Sequence, residues 1–553
     1  MKNVHILIAS LILLNLYSCK KQPKVITFSS LEVLNGDILL CGSGDFGTVD
    51  FATSCTTESS EMFNLGLSLL HSFEYTEAEK AFAKVLEVDP NCAIAFWGIA
   101  MCNFHSLWMQ AGNAHLIKGN RLIEATTELK TTDRERAYIN AIGAFYKDWQ
   151  TVPHKQRIYL FEEGMRSVYE TYPEDKEAAI FYALALRAIA NPSDKTFKNQ
   201  LKSGKILKSI FPSAPNHPGI AHYLIHNYDY PELAEKALPT AREYAKIAPA
   251  SAHAQHMPSH IFTRLGLWEE AIASNLKSTE AALCYAEALG ATAHWDEELH
   301  GMDYLVYAYL QLGANDKAAE QYDYLKTFYS VFPVNFKCAY AIAAIPGRIA
   351  LENKDWEGAA QLELPEIAIP WEQFPWERSL YYFTKGYGAI RLGLIEEAEQ
   401  ELKAIKTAHR DLQKAENNYL ADQVAIEIAN LEAWMLFRKG SIDSAIQRMQ
   451  EAKDMENNTQ KHPVTPGELI PAAELLADLY MENGNIELAH SAYLDNLNQH
   501  PQRFNGLYGA AKTASMLNDL ETAKMYFQQL LDLGQAYNSQ RPELLEAKTF
   551  LEP

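Results

Sequence analysis

The chain is short of positive charge. Its 553 residues hold 49 Lys and Arg against 70 Asp and Glu, a formal charge of −21. Such a balance excludes a face that neutralises many phosphates, and with it a nucleic-acid partner. Catalytic signatures are missing too. There is no Gly-rich phosphate loop ending in Lys-Ser/Thr, no GxSxG elbow, no GxGxxG behind a strand, no HExxH and no CxxC. GSGDFG (42–47) has no helical pattern behind it and reads as part of a turn-rich cap. The remaining composition is ordinary, with 48% hydrophobic and 22% charged residues, and it excludes wholesale disorder and a multi-span membrane protein.

Long apolar runs are scarce. Ile6 to Leu16 is apolar for about eleven residues, too short for a helix that crosses a bilayer and suited to the core of a secretory signal. Leu16-Tyr17-Ser18-Cys19 follows it and resembles a bacterial lipobox, which implies cleavage before Cys19 and a lipid on its sulfur. Lys20 and Lys21, with no Asp beside the cysteine, point to the outer membrane. The expectation is an exported, lipid-anchored envelope protein in an oxidising compartment. Of seven cysteines, Cys41 and Cys55 bracket a Gly-containing segment, and a disulfide is expected to close it. Cys92, Cys102, Cys284 and Cys338 read as buried thiols.

A 34-residue period organises the rest. With Ser59 as position 1, Gly66 is position 8, Ala78 position 20, Phe82 position 24 and Pro90 position 32. Those are the signature positions of the tetratricopeptide repeat (TPR), where small residues let helices cross, an aromatic fills the gap and Pro ends the second helix. The frame returns at Gly484, Ala489, Tyr493 and Pro501, then at Ala523 and Phe527. Gly followed five residues on by Ala marks intermediate units at Gly266/Ala271, Gly313/Ala318, Gly393/Ala398 and Gly440/Ala445. The expected fold is all-α, a right-handed superhelical solenoid of about ten helical pairs with a short irregular N-terminal cap. Its divisions are a signal at 1–18, a lipidated start and cap at 19–57, repeats of irregular register at 58–216, His-rich central repeats at 217–330, further repeats at 331–537 and a tail at 538–553. That tail is expected to fray.

The histidines are uneven. Of 17, eight lie between 217 and 300. In repeat register His222 and His226 are positions 5 and 9, and His256 and His260 are the same positions one period on. His253 and His300 take position 2 in their units, and Asp303 takes position 5. These positions face the groove, and residues four apart share a helix face. A concave wall of imidazoles is expected, with Tyr223, Arg264 and Tyr304 beside it. Imidazole is the commonest metal ligand, so His222, His226, His256, His260 and His300 are candidate ligands for Zn, Cu or Ni. Arg264 could clamp a carboxylate or phosphate. Pro258, between His256 and His260, predicts a break in that helix. His71 and His105, also 34 apart, read as packing residues beside aromatics.

The strings HPGIAHYLIHNYDYPELAEKAL (217–238) and HAQHMPSHIFTRLGLW (253–268) resemble an uncharacterised family of bacterial TPR lipoproteins, as do DPNCAIAFWGIAM, KHPVTPGELIPAAELL (461–476) and PQRFNGLYGAAKTA (501–514). The resemblance covers nearly the whole mature chain and matches at His217, His222, His226, His256 and His260. It implies a secreted or periplasmic helical-repeat protein and carries no established reaction.

Three functions stay open on the sequence. The first is a lipid-anchored scaffold, not an enzyme, that binds a protein or peptide partner or a ligand in the His-lined groove. The second is a transition-metal protein, including a metal-dependent hydrolase. The third is a carbohydrate-binding lipoprotein that works with an outer-membrane importer. No exposed aromatic platform in an inserted loop favours the third.

Overall fold

The computed structural model describes residues 31–41, 44–107, 110–191, 194–459, 464, 467–537 and 539–552. The signal-like run and Cys19 lie outside them. The architecture is all-α. Antiparallel helix pairs follow one another from Ser60–His71 with Tyr75–Val88 to Phe504–Met516 with Leu520–Gly534. Each helix packs on its neighbour in sequence, and many also pack on the next but one, as a solenoid requires. The repeat frame holds at side-chain level. Phe82 is fully buried between Gly66 and Gly98, where an added Cβ would meet its ring at 3.0 and 2.7 Å. Among the described residues the strands are His294–Trp295 and Val331–Phe332, paired in parallel.

Most of the tail is helical. Pro542–Leu551 is a helix that buries Leu544 and Ala547, and Ser539 Oγ donates to the Gly313 carbonyl at 2.6 Å. The expected fraying is corrected by that apolar face, which completes the last repeat.

The cysteine pairing is also corrected. Cys41 bonds Cys284, with Cα atoms 6.0 Å apart, and Cys55 bonds Cys92, at 5.1 Å. The segment between Cys41 and Cys55 does not fold into a closed loop. The described residues 31–41 and 44–55 cross the repeats, so the two cysteines meet different units. Leu34 N and Leu39 N donate to Glu79 and Glu77, Thr48 N donates to the Asn216 carbonyl, and Ala250 N donates to the Asp45 carbonyl. Cys102 and Cys338 remain buried thiols, as expected.

The solenoid folds back on itself. Trp268 Nε1 donates to the Gln502 carbonyl at 2.8 Å, Phe504 N donates to Gln311 Oε1 at 2.9 Å, and Arg503 Nη1 donates to the Tyr307 hydroxyl at 3.1 Å. These bonds join segments about two hundred residues apart. The concave side is therefore an interior.

Candidate metal centre

Three neighbouring repeats supply the histidines. Pro218 opens the helix Pro218–Tyr228, which presents His222 and His226 one turn apart. Ser251 caps Ala252–His256 by accepting from Ala254 N. Met257 and Pro258 interrupt that helix, as the proline predicts, and Pro258–Leu265 follows. Met257 keeps helical dihedrals, so the break is slight, and His256 and His260 still face each other. His300 comes from Asp296–Gln311.

The imidazoles meet nitrogen to nitrogen. His222 Nε2 lies 2.9 Å from His226 Nε2 and 3.1 Å from His253 Nε2. His256 Nε2 lies 3.1 Å from His260 Nε2, and the His300 ring centroid is 4.3 Å from that of His256. Two sets result, His222/His226/His253 and His256/His260/His300, each with its ligand atoms within 4.8 Å of one another. The sets adjoin, since the His226 and His260 centroids are 6.2 Å apart.

The other ring nitrogens decide the tautomers. His222 Nδ1 donates to the His71 carbonyl at 2.6 Å, and His260 Nδ1 donates to Asp229 Oδ2 at 2.7 Å. His256 Nδ1 donates to Asn275 Oδ1 at 2.7 Å, while the amide of Asn275 is committed to the Ala271 carbonyl. When these three histidines are neutral, the ring proton is thus on Nδ1, and the lone pair on Nε2 points inward. Lone pairs on His256 and His260 facing at 3.1 Å repel unless they share a cation. His222 Nε2 has two imidazole neighbours on its single lone pair. A shared proton is a poor answer, because burial pushes His222, His256 and His300 well below the ordinary histidine pKa. A metal bound by neutral imidazoles fits, and two nitrogens on one zinc ion would stand about 3.3 Å apart. Acceptors that hold Nδ1–H are the usual outer partners of ligating histidines.

Several sequence expectations change here. The histidine wall forms, but as an interior: His222 and His256 are 0% exposed and His260 is 6%. Arg264 Nε donates to Asp229 Oδ1 at 3.0 Å, which steadies the carboxylate that orients His260. Asp303 does not face the imidazoles as a ligand; it is buried against Arg348 Nε at 3.0 Å. Tyr223 sits one layer behind, its hydroxyl 2.9 Å from His71 Nδ1. Tyr304 stays with the site, its hydroxyl 3.3 Å from His260 Nε2.

Sequence reasoning missed the supporting shell. His71 does pack as expected, but its carbonyl also orients His222. Its Nε2 bonds Glu177 at 2.9 Å, and Glu177 takes His217 Nε2 at 2.6 Å. That His71/Glu177/His217 group could itself hold a metal by geometry, yet its carboxylate is already shared between both rings. Asp229, in the NYDY that follows His226, and Asn275 carry no spacing signal toward the histidines.

Both triads border a cavity of about 540 Å³. His253 reaches it from one triad, and His260 and His300 from the other. His105 also lines it, and burial lowers its pKa to about 4.

No family model matches the chain, and no curated protein does. Among solved structures it is similar to yeast Tom70, at 14% identity over 90% of this chain and 95% of that one, with a TM-score of 0.33. The chain is a helical-repeat scaffold by its own architecture, and a likeness this remote leaves the chemistry to its own residues.

Proposed function

We propose that this chain is a metal-binding helical-repeat protein whose two adjoining three-histidine sites hold transition-metal ions beside a ligand cavity. The observation that carries the reading is the approach of Nε2 atoms to about 3 Å, His222 to His226 and His253 and His256 to His260, while His222, His256 and His260 spend their Nδ1 protons on outer acceptors. All-imidazole ligation suits zinc, copper or nickel. An ion held there would polarise a bound ligand or activate a water at the cavity wall. Lipidation at Cys19 would tether the scaffold to the outer membrane.

A second reading, a protein partner on the outside of the scaffold, has support of its own. Leu276 and Leu283, seven residues apart on one helix, are 46% and 43% exposed and share a face.

The test is elemental analysis of protein purified without a His tag and without chelator, with His260→Ala in parallel. The expected result is near-stoichiometric zinc, copper or nickel in the parent, with the His256/His260/His300 share lost in the variant. Absence of metal from the parent after incubation with each ion in turn overturns the metal reading and leaves the partner reading.

A further inference from the structure

The cavity beside the triads has a chemistry of its own. Aromatic rings make much of its wall, among them Phe73, Tyr75, Tyr285, Trp295, Phe332 and Phe336. Its charged lining is Glu74, Glu77, Asp296 and Glu297 against the single Lys337. Lys337 is shared between Asp296 Oδ2, at 2.6 Å, and Glu297 Oε1. Glu77 is answered by Lys80 Nζ at 2.9 Å, the Tyr285 hydroxyl at 2.8 Å and Leu39 N at 2.8 Å. Two carboxylates are left short. Glu74 accepts from the Ser251 hydroxyl at 2.6 Å and has no ion pair among the described residues. Glu297 Oε2 is buried with no hydrogen-bond partner, and His253 Nδ1 stands off at 3.7 Å. A buried carboxylate oxygen without a donor is rare in a folded protein and calls for one.

We propose that this cavity binds an ammonium-bearing aromatic molecule, its nitrogen on Glu74 and Glu297 and its ring against Trp295 and Phe336. An ammonium supplies both the donor that Glu297 Oε2 lacks and the ion pair that Glu74 lacks. Aromatic faces attract the same cation, and a cavity of about 540 Å³ is the size that takes a small organic ligand. The inference names the ligand class of the site described above and rests on the metal reading only for what happens after binding.

The experiment is calorimetric titration of chelator-treated protein with three probes of one size and different charge: phenethylamine, 2-phenylethanol and phenylacetate. Phenethylamine is expected to bind about tenfold more tightly than the alcohol, with phenylacetate the weakest. Glu74→Gln should weaken the amine about tenfold and leave the alcohol unchanged. Glu297→Gln should do the same, so the prediction does not hang on one variant. If both variants melt early, the order of the probes on the parent decides alone. Equal or tighter binding of the alcohol or of phenylacetate overturns the proposal. So does saturation by no probe at millimolar concentration, or amine binding unchanged in both well-folded variants. Amine binding by a protein that takes up no metal defeats only the metal reading, and metal uptake without amine binding defeats only this one.

Discussion

Phe73 stands with φ at +60° where the turns of several other repeats place glycine. In the 34-residue frame it is position 15, the position of Gly266 and Gly484, whose φ values are +69° and +77°. A side chain in this left-handed region costs roughly 1–2 kcal/mol. The ring compensates by covering the first triad. Its centroid is 4.4 Å from that of His222, 5.8 Å from His226 and 5.8 Å from His253, and the same ring lines the cavity. Strain held at such a spot is characteristic of functional positions. Phe73→Gly relieves the turn and uncovers the imidazoles. The expected outcome is a melting temperature near that of the parent with metal affinity about tenfold lower, read by competition with a chelator. A large fall in melting temperature at unchanged affinity would make the ring a packing residue and nothing more.

At the scale of elements, the cap and the Pro258 break shape the interior. The break between Ala252–His256 and Pro258–Leu265 leaves His256 and His260 in register, because Met257 N still bonds the His253 carbonyl at 2.9 Å. The cap is tied to the middle of the chain by Cys41–Cys284, across a sequence separation of 243. Closing a loop of that size restricts the unfolded chain, an effect on the order of 5 kcal/mol in the chain-entropy model. Cys284→Ser should therefore lower the melting temperature of oxidised protein by several degrees. The parent treated with reductant should melt at least as early. Equal melting of parent and variant under oxidising conditions would mean that this bond does not form.

The whole molecule is a repeat array closed on itself, and closure buries charge. Arg503 is 1% exposed and lies between Glu352, at 2.7 Å, and Glu474, at 2.6 Å. Glu377 is buried and Glu427 half-buried, neither with such a partner among the described residues, and burial raises each pKa to about 8. Between the unfolded value of 4.5 and the folded value of about 8, the native state keeps a proton that the unfolded chain has lost. Stability then falls as pH rises through that window, by an amount on the order of a few kcal/mol for each group. Denaturant unfolding from pH 5 to pH 8 should show the decline, and the Glu377→Gln/Glu427→Gln double variant should flatten it. An unchanged slope in the double variant would place the effect in other groups.

Much of this was legible in the residues alone. The 34-residue recurrence of Gly, Ala and an aromatic specified helical hairpins, because close crossings need small residues opposite a large one. The spacing of His222, His226, His256 and His260 put four imidazoles on one wall, since four residues make about one helical turn. Other features depend on parts of the chain that no local pattern links. Cys41 found Cys284 because the cap crosses the repeats. Asp303 and Arg264 found ion-pair partners because a buried charge must be paired. The groove became an interior because the segment Pro501–Asn505 docks on Trp268 and Gln311. Helical periodicity is a property of neighbours in sequence, so the chain alone determined the repeats and the wall. Solvent exclusion, ring tautomers and the cavity come from contacts between distant segments, and only the tertiary structure decided them.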